Sequence, residues 1–157
     1  MRIGQSTDIH PLVQGRDLIL GGVKIQSPVG AQGHSDADAL THAIAEALLG
    51  ALALGDLGKH FPDTDPRYKG ISSLILLKEC VTKVHEAGYT IGNIDALVLI
   101  ERPKLAPYMP QMKASLCSVL GIEENQLNLK ATRGEGLGFI GRGEGLMAQA
   151  VCLLEKL

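Results

Sequence analysis

The chain has 157 residues, enough for one ordinary domain with a sizeable core and too few for two. Hydrophobic residues at 45% against 20% charged exclude disorder and coiled coil. A net charge of -2 and a pI near 6.2 remove the basic footprint of a nucleic-acid binder. No apolar stretch reaches the ~18 to 20 residues of a membrane span, and Met1 to Gly4 runs into polar residues without a signal-peptide core. The expectation is a cytoplasmic protein with neither membrane nor nucleic acid as partner.

In chain order, Arg2 to His10 alternates as a strand, and Asp17 to Val23 reads as a strand ending in the Gly21-Gly22 turn. Ser35 and Asp38 form a capping-box pattern, after which Leu40, Ile44, Ala47 and Leu48 recur at helical spacing up to Gly50, predicting a helix from Ser35. Gly55 to Tyr68, with Gly58, Pro62 and Pro66, reads as a loop. A second amphipathic helix runs from Ser72 to a stop at Gly88. Tyr89 to Ile100 reads as a strand, and about Tyr108 to Leu120 as a helix with Pro110 in its first turn. Gln126 to Thr132 alternates again, whereas Leu146 to Leu154 fits a strand or a buried helix equally. The order suggests an α/β (α+β) single domain over 1–157, with helices packed on one face of a sheet. Cys80, Cys117 and Cys152 are odd in number and flanked by apolar residues, so they read as buried thiols.

Three of the five histidines fall within the first 42 residues. On a strand, positions i and i+2 share a face, so Asp8 and His10 project together. His42 stands four residues after Asp38 and four before Glu46, so one helix face presents all three. Asp8, His10 and His42 together would supply three N/O ligands and leave a fourth position open, as in a catalytic zinc site, with Glu46 orienting the His42 ring. The same residues also fit an ordinary surface pair, a capping carboxylate at Asp38 and a solvated helix charge at Glu46. His60 and His85 read as surface residues.

Two further segments suit phosphate. Gly33-His34-Ser35 precedes a helix, where free N–H groups and the dipole favour an anion, although Ser35 is equally placed to cap its own helix. Lys130 to Gly143 joins cationic, hydroxyl and carboxylate groups to a glycine-rich run, and Glu135 offers a hard oxygen ligand for a magnesium-type ion. It lacks the Gly-Lys-Ser/Thr ending of a Walker A loop, and its composition also fits a solvated turn.

In combination these pieces resemble one family along nearly the whole chain, the 2-C-methyl-D-erythritol 2,4-cyclodiphosphate synthases of the non-mevalonate isoprenoid pathway. The likeness rests on DIH at Asp8 to His10, GHSDAD at Gly33 to Asp38 with His42, and GDLGKHFPDTDPRYKG at Gly55 to Gly70. It continues through GYTIGNIDALVLIERPKLAPYMPQM to KAT at Lys130 to Thr132 and GLGFIGRGEG at Gly136 to Gly145. The resemblance implies a phosphorus-oxygen lyase, a homotrimer with sites between subunits, and 4-diphosphocytidyl-2-C-methyl-D-erythritol 2-phosphate as substrate. The substrate's 2-phosphate would attack its β-phosphorus and release CMP. Zn²⁺ would sit on Asp8, His10 and His42, and Mg²⁺ or Mn²⁺ on Glu135 and the substrate phosphates.

By the same resemblance, His34 and Ser35 contact phosphates, while Asp56, Leu57 and Gly58 with Phe61, Pro62, Asp63, Thr64 and Asp65 surround the methylerythritol. Ile100, Pro103, Lys104, Leu105 and Ala106 form a cytidine pocket from the neighbouring subunit. Ala131, Thr132, Arg133, Gly134, Glu135, Phe139 and Arg142 complete the phosphate side. Arg133 stands where the family commonly has a catalytic Thr beside His34, so its guanidinium or backbone N–H is expected to replace that hydroxyl. Gly134 replaces a usual polar residue and is expected to loosen the loop. Gln5 stands where His is frequent. Thr7 replaces the aromatic that accompanies prenyl-diphosphate binding on the threefold axis in some members. Two alternatives use the same residues: a metal-dependent nucleotide phosphohydrolase with water as nucleophile, and a trimeric prenyl-diphosphate-binding module.

Overall fold

A computed structural model describes residues 1–157. The chain opens with a long strand, β1 (Arg2–Gln14), and then the hairpin β2 (Leu18–Leu20) and β3 (Val23–Ile25) around Gly21 and Gly22. A short β4 (Val29–Ala31) leads into helix α1 (Ala39–Ala51). The segment read as loop contains one helical turn, α2 (Leu57–His60), capped by the Asp56 carboxylate, and a 3-10 turn at Pro66–Tyr68 capped by Asp65. Helix α3 (Ser73–Glu86), strand β5 (Tyr89–Leu99) and helix α4 (Met109–Leu120) follow, with Pro110 in the first turn of α4. Strand β6 (Leu127–Thr132), the turn-length helix α5 (Gly138–Gly141) and strand β7 (Gly145–Lys156) complete the chain. The ambiguous tail is therefore a strand. Paired on both sides, by β1 and β5, it satisfies its backbone groups in two ladders.

The sheet order is β4-β1-β7-β5-β6, with β5 and β6 parallel and the remaining pairs antiparallel. Helices α1, α3 and α4 pack over its inner face, where one core of 37 buried residues, mostly Leu, Ile, Val and Ala, is assembled. The free thiols of Cys80, Cys117 and Cys152 are all buried, as expected. The outer face alternates with the inner one and carries Ile3, Ile9 and Val151 exposed, at 68%, 53% and 46%, with half-buried Met147 and Leu153 beside them in register. No helix is long and apolar enough to cross a membrane.

Helix α1 lies unusually close to β1. A Cβ on Gly4 would stand 1.8 Å from the Ala47 carbonyl oxygen, so only glycine permits the approach. From that contact the two elements run side by side in opposite directions. The Ser6 hydroxyl donates to the Glu46 carboxylate at 2.5 Å, and two residues further along β1 Asp8 meets His42. The start of α1 is fixed independently. Asp38, fully buried, caps the helix by accepting from the Thr41 N–H at 3.0 Å and from the Thr41 hydroxyl. It also accepts from the N–H groups of Gly21 and Gly22 and so ties the β2–β3 turn to the helix.

Candidate metal and phosphate site

The inner-face positions Asp8 and His10 on β1 converge with His42 on α1, as the spacing predicts. Asp8 Oδ2 lies 2.8 Å from His10 Nε2 and 3.1 Å from His42 Nδ1, and one ligand atom from each of the three residues falls within 4.8 Å of the others. The ring nitrogens turned away from this point are also engaged. His10 Nδ1 lies 2.8 Å from the Gln32 carbonyl oxygen, which can only accept, so that nitrogen carries a proton and Nε2, beside Asp8, is the atom left to ligate a metal. His42 Nε2 lies 2.7 Å from the Ser73 hydroxyl and 3.1 Å from that of Ser35. A carboxylate oxygen and two imidazole nitrogens, oriented from behind and open in front, fit a tetrahedral divalent ion with one position left for a ligand.

Electrostatics keep the Asp8 carboxylate ionised. Burial pushes the Asp8 carboxyl up, but hydrogen bonds and charge from His10 and His42 outweigh it and hold the group at about 2. Burial lowers the His10 value, and the Asp8 carboxylate more than reverses this, so it ends above its ordinary 6.5. Protons and a metal ion therefore compete for the same lone pairs.

These residues form one wall of a cavity of about 400 Å³. Gly33, His34 and Ser35 line it beside the ligand cluster, and Leu57, Gly58, Phe61 and Asp63 close it from the α2 side. Asp56 and Asp65 serve their own turns as caps, and neither they nor Pro62 and Thr64 line the cavity. A separate cavity of about 220 Å³ is lined by Ile100, Pro103, Lys104, Leu105 and Ala106 together with Ala131, Thr132 and Arg133. Arg133 also borders a third, of about 440 Å³, with Glu101 and Arg102. Glu135 is exposed on the turn after β6, Phe139 is half-buried, and Arg142 is paired with Glu144 at 2.5 Å. Within one chain the sequence-predicted site thus falls into two clusters, and Glu135 does not join Asp8, His10 and His42.

Several sequence expectations are corrected here. The helix begins at Ala39 rather than Ser35, because Asp38 is the cap and the Ser35 hydroxyl instead accepts from the Ala37 N–H at 3.2 Å. Asp38 does not join His42 in the ligand cluster; its oxygens are consumed by Gly21, Gly22 and Thr41. Glu46 lines the cavity but does not orient His42, since its two oxygens take the Ser6 hydroxyl and the Leu57 N–H. Gly134 does not loosen its loop. Its N–H donates to Glu101 at 2.9 Å, its carbonyl accepts from Leu137, and a Cβ there would stand 2.5 Å from the Gly141 nitrogen.

The sequence reading also missed Ser73 and the role of Asp36. Ser73, wholly buried at the first position of α3, bonds both His42 and the Asp36 carboxylate through its hydroxyl. They stand 31 and 37 residues from the groups they touch, and no local spacing marks them.

Comparison with known proteins agrees with this geometry. The model of the YgbB family matches residues 1–155. The chain is 56% identical over 154 residues to the 2-C-methyl-D-erythritol 2,4-cyclodiphosphate synthase of Clostridium acetobutylicum, covering 98% of this chain and 99% of that one. It is 57% identical over 157 residues to the synthase of the same name from Agathobacter rectalis, covering 100% and 89% respectively. Among solved structures, a 2C-methyl-D-erythritol-2,4-cyclodiphosphate synthase in a CDP-bound form superposes with a TM-score of 0.91 at 40% identity, covering 98% of this chain and all of that one. The bifunctional IspDF of Campylobacter jejuni superposes at 0.95 and 39% identity over 99% of this chain, which spans 42% of that larger protein. With the family model matched almost end to end and relatives above half identity over the full length, the chain belongs to the YgbB family.

Proposed function

We propose that this chain, as one domain over 1–157, converts 4-diphosphocytidyl-2-C-methyl-D-erythritol 2-phosphate to 2-C-methyl-D-erythritol 2,4-cyclodiphosphate and CMP. The observation that carries the reading is the Asp8, His10 and His42 cluster, open toward a cavity flanked by His34 and Ser35. In the reaction a 2-phosphate oxygen forms a bond to the β-phosphorus. The bond from that phosphorus to the oxygen bridging the α- and β-phosphates breaks, and CMP leaves with the bridging oxygen. Both reacting groups are anionic, so the barrier is largely electrostatic and orientational.

Asp8, His10 and His42 would hold Zn²⁺, and Glu135 would help to hold Mg²⁺ or Mn²⁺ with the substrate phosphates. When bound, such ions neutralise phosphate charge and polarise the phosphorus under attack. His34 and Ser35 orient the phosphates in front of the ligand cluster. Leu57, Gly58, Phe61 and Asp63 surround the methylerythritol and keep water from competing with the 2-phosphate. The cavity at Ile100 to Ala106 accepts cytidine. Leu105 is buried there, leaving mainly backbone groups to read the base. Arg133, on the border of that cavity, contacts the α-phosphate.

The separation of the two clusters supports a homotrimer in which the metal cluster of one subunit meets the cytidine cavity and Glu135 of its neighbour. The exposed Ile3, Ile9 and Val151 on the outer sheet face supply an apolar surface for such an assembly, and a head-to-tail interface closes into a ring when its rotation is threefold. Phosphorus NMR of the products with Zn²⁺ and Mg²⁺ present tests the chemistry. Cyclic diphosphate and CMP are expected; CMP with an uncyclised bisphosphate would replace this reading with a nucleotide phosphohydrolase.

A further inference from the structure

We propose that Asp36 and Ser73 are positioning residues that hold the His42 ring by its Nε2 and thereby set the strength of the metal site. The inference rests on the metal-binding reading above and follows from which partner can donate. The Asp36 carboxylate only accepts. It takes the Ser73 hydroxyl on Oδ1, and on Oδ2 the Ser73 backbone N–H at 3.0 Å. With its single hydrogen given to Asp36, the Ser73 oxygen is an acceptor toward His42 Nε2, 2.7 Å away. His42 Nε2 thus carries hydrogen toward Ser73, and Nδ1, 3.1 Å from the Asp8 oxygen, is the ring atom left to ligate a metal.

The same assignment frees a second donor. The Ser35 oxygen already accepts from the Ala37 N–H, and it faces an Nε2 that carries hydrogen, so its own hydroxyl hydrogen has no acceptor on His42. Ser35 lines the cavity, and that hydrogen is available to a phosphate oxygen there. Ser73 has no exposed surface, Asp36 is half-buried and neither lines the cavity, so the pair acts on the site through His42.

The test uses full-length wild type, Ser73→Ala, Asp36→Asn and Ser35→Ala. Ser73→Ala keeps the backbone bond from residue 73 to Asp36 and removes only the hydroxyl link. Zn²⁺ affinity, measured by chelator competition at one neutral pH, is expected to fall about 10- to 100-fold in Ser73→Ala, and in the same direction in Asp36→Asn. Nitrogen-15 NMR of the Zn²⁺-loaded wild type should show a His42 Nε2–H signal protected from exchange with water. Ser73→Ala should shift that signal and speed its exchange, and Ser35→Ala should keep the wild-type form. Zn²⁺ affinity within about twofold of wild type in Ser73→Ala, with the Nε2–H signal unchanged, overturns the positioning role. A wild type that takes up no Zn²⁺ overturns the metal reading itself.

Discussion

Replacing Asp38 probes how the fold delivers His42 to Asp8. The carboxylate is fully buried and accepts from four donors: the N–H groups of Gly21, Gly22 and Thr41, and the Thr41 hydroxyl. In Asp38→Ala the lost cap on Thr41 costs about 1 to 2 kcal/mol. Gly21 N–H and the Thr41 hydroxyl are buried, and each is left without its acceptor at about 1 to 3 kcal/mol. Gly22 is exposed, and water replaces its lost bond. The total is about 3 to 8 kcal/mol, a large part of the stability of a domain this size. Asp38→Asn separates the two oxygens. Its amide oxygen keeps Gly21 and Thr41 N–H, the Thr41 hydroxyl rotates to accept, and only Gly22 N–H faces a donor, for about 1 to 2 kcal/mol. Urea unfolding with unchanged m-values reads both. A loss below about 1 kcal/mol in Asp38→Ala, or equal losses in the two variants, would refute this assignment.

Three other outcomes follow from the same structure. The folded His10 value lies above 6.5 while Asp8 stays ionised down to about 2, so acidification protonates His10 first; Zn²⁺ affinity should weaken about tenfold per pH unit below the His10 value, and a chelator titration showing no such slope contradicts the ligand role. Glu46→Gln removes an anionic acceptor shared by Ser6 and Leu57, which loosens the α2 wall; KM should rise more than kcat falls, and an unchanged KM counts against the wall's role in substrate binding. Burial pushes the Cys80 thiol up to about 12 and Cys152 to about 11, so native protein should not react with a disulfide reagent at neutral pH until urea unfolds it, and prompt native labelling would contradict their burial.

Features that depend on local periodicity were legible in the sequence. Asp8 and His10 share a face because strands repeat every two residues, and the apolar spacing of α1 and α3 set their buried sides. The ends of elements were less legible, since Ser35 and Asp38 both suit a cap and only the Gly21-Gly22 turn, tied to Asp38 across the fold, decides between them. The tail from Gly145 to Lys156 was ambiguous by periodicity because a strand enclosed between two others is apolar along much of its length. Contacts made by packing were not legible at all. Glu46 has the spacing to reach His42, yet the close passage of α1 over Gly4 hands it to Ser6, and the space behind His42 is filled by Ser73 from another helix. Comparison with the family pattern likewise left unseen the role of Gly134, whose lack of a side chain admits the Gly141 backbone.

The most direct test of the account is complementation between two disabled chains. Asp8→Ala breaks the metal cluster and Glu135→Ala breaks the opposite cluster; each variant alone should give no cyclic diphosphate by phosphorus NMR. Co-expressed in equal amounts and assembled at random, they leave about one site in four with both halves intact, so about a quarter of wild-type CMP release should return. A mixed assembly that stays inactive, with both variants folded and Glu135→Ala still binding Zn²⁺, would contradict a site built from two copies of this chain.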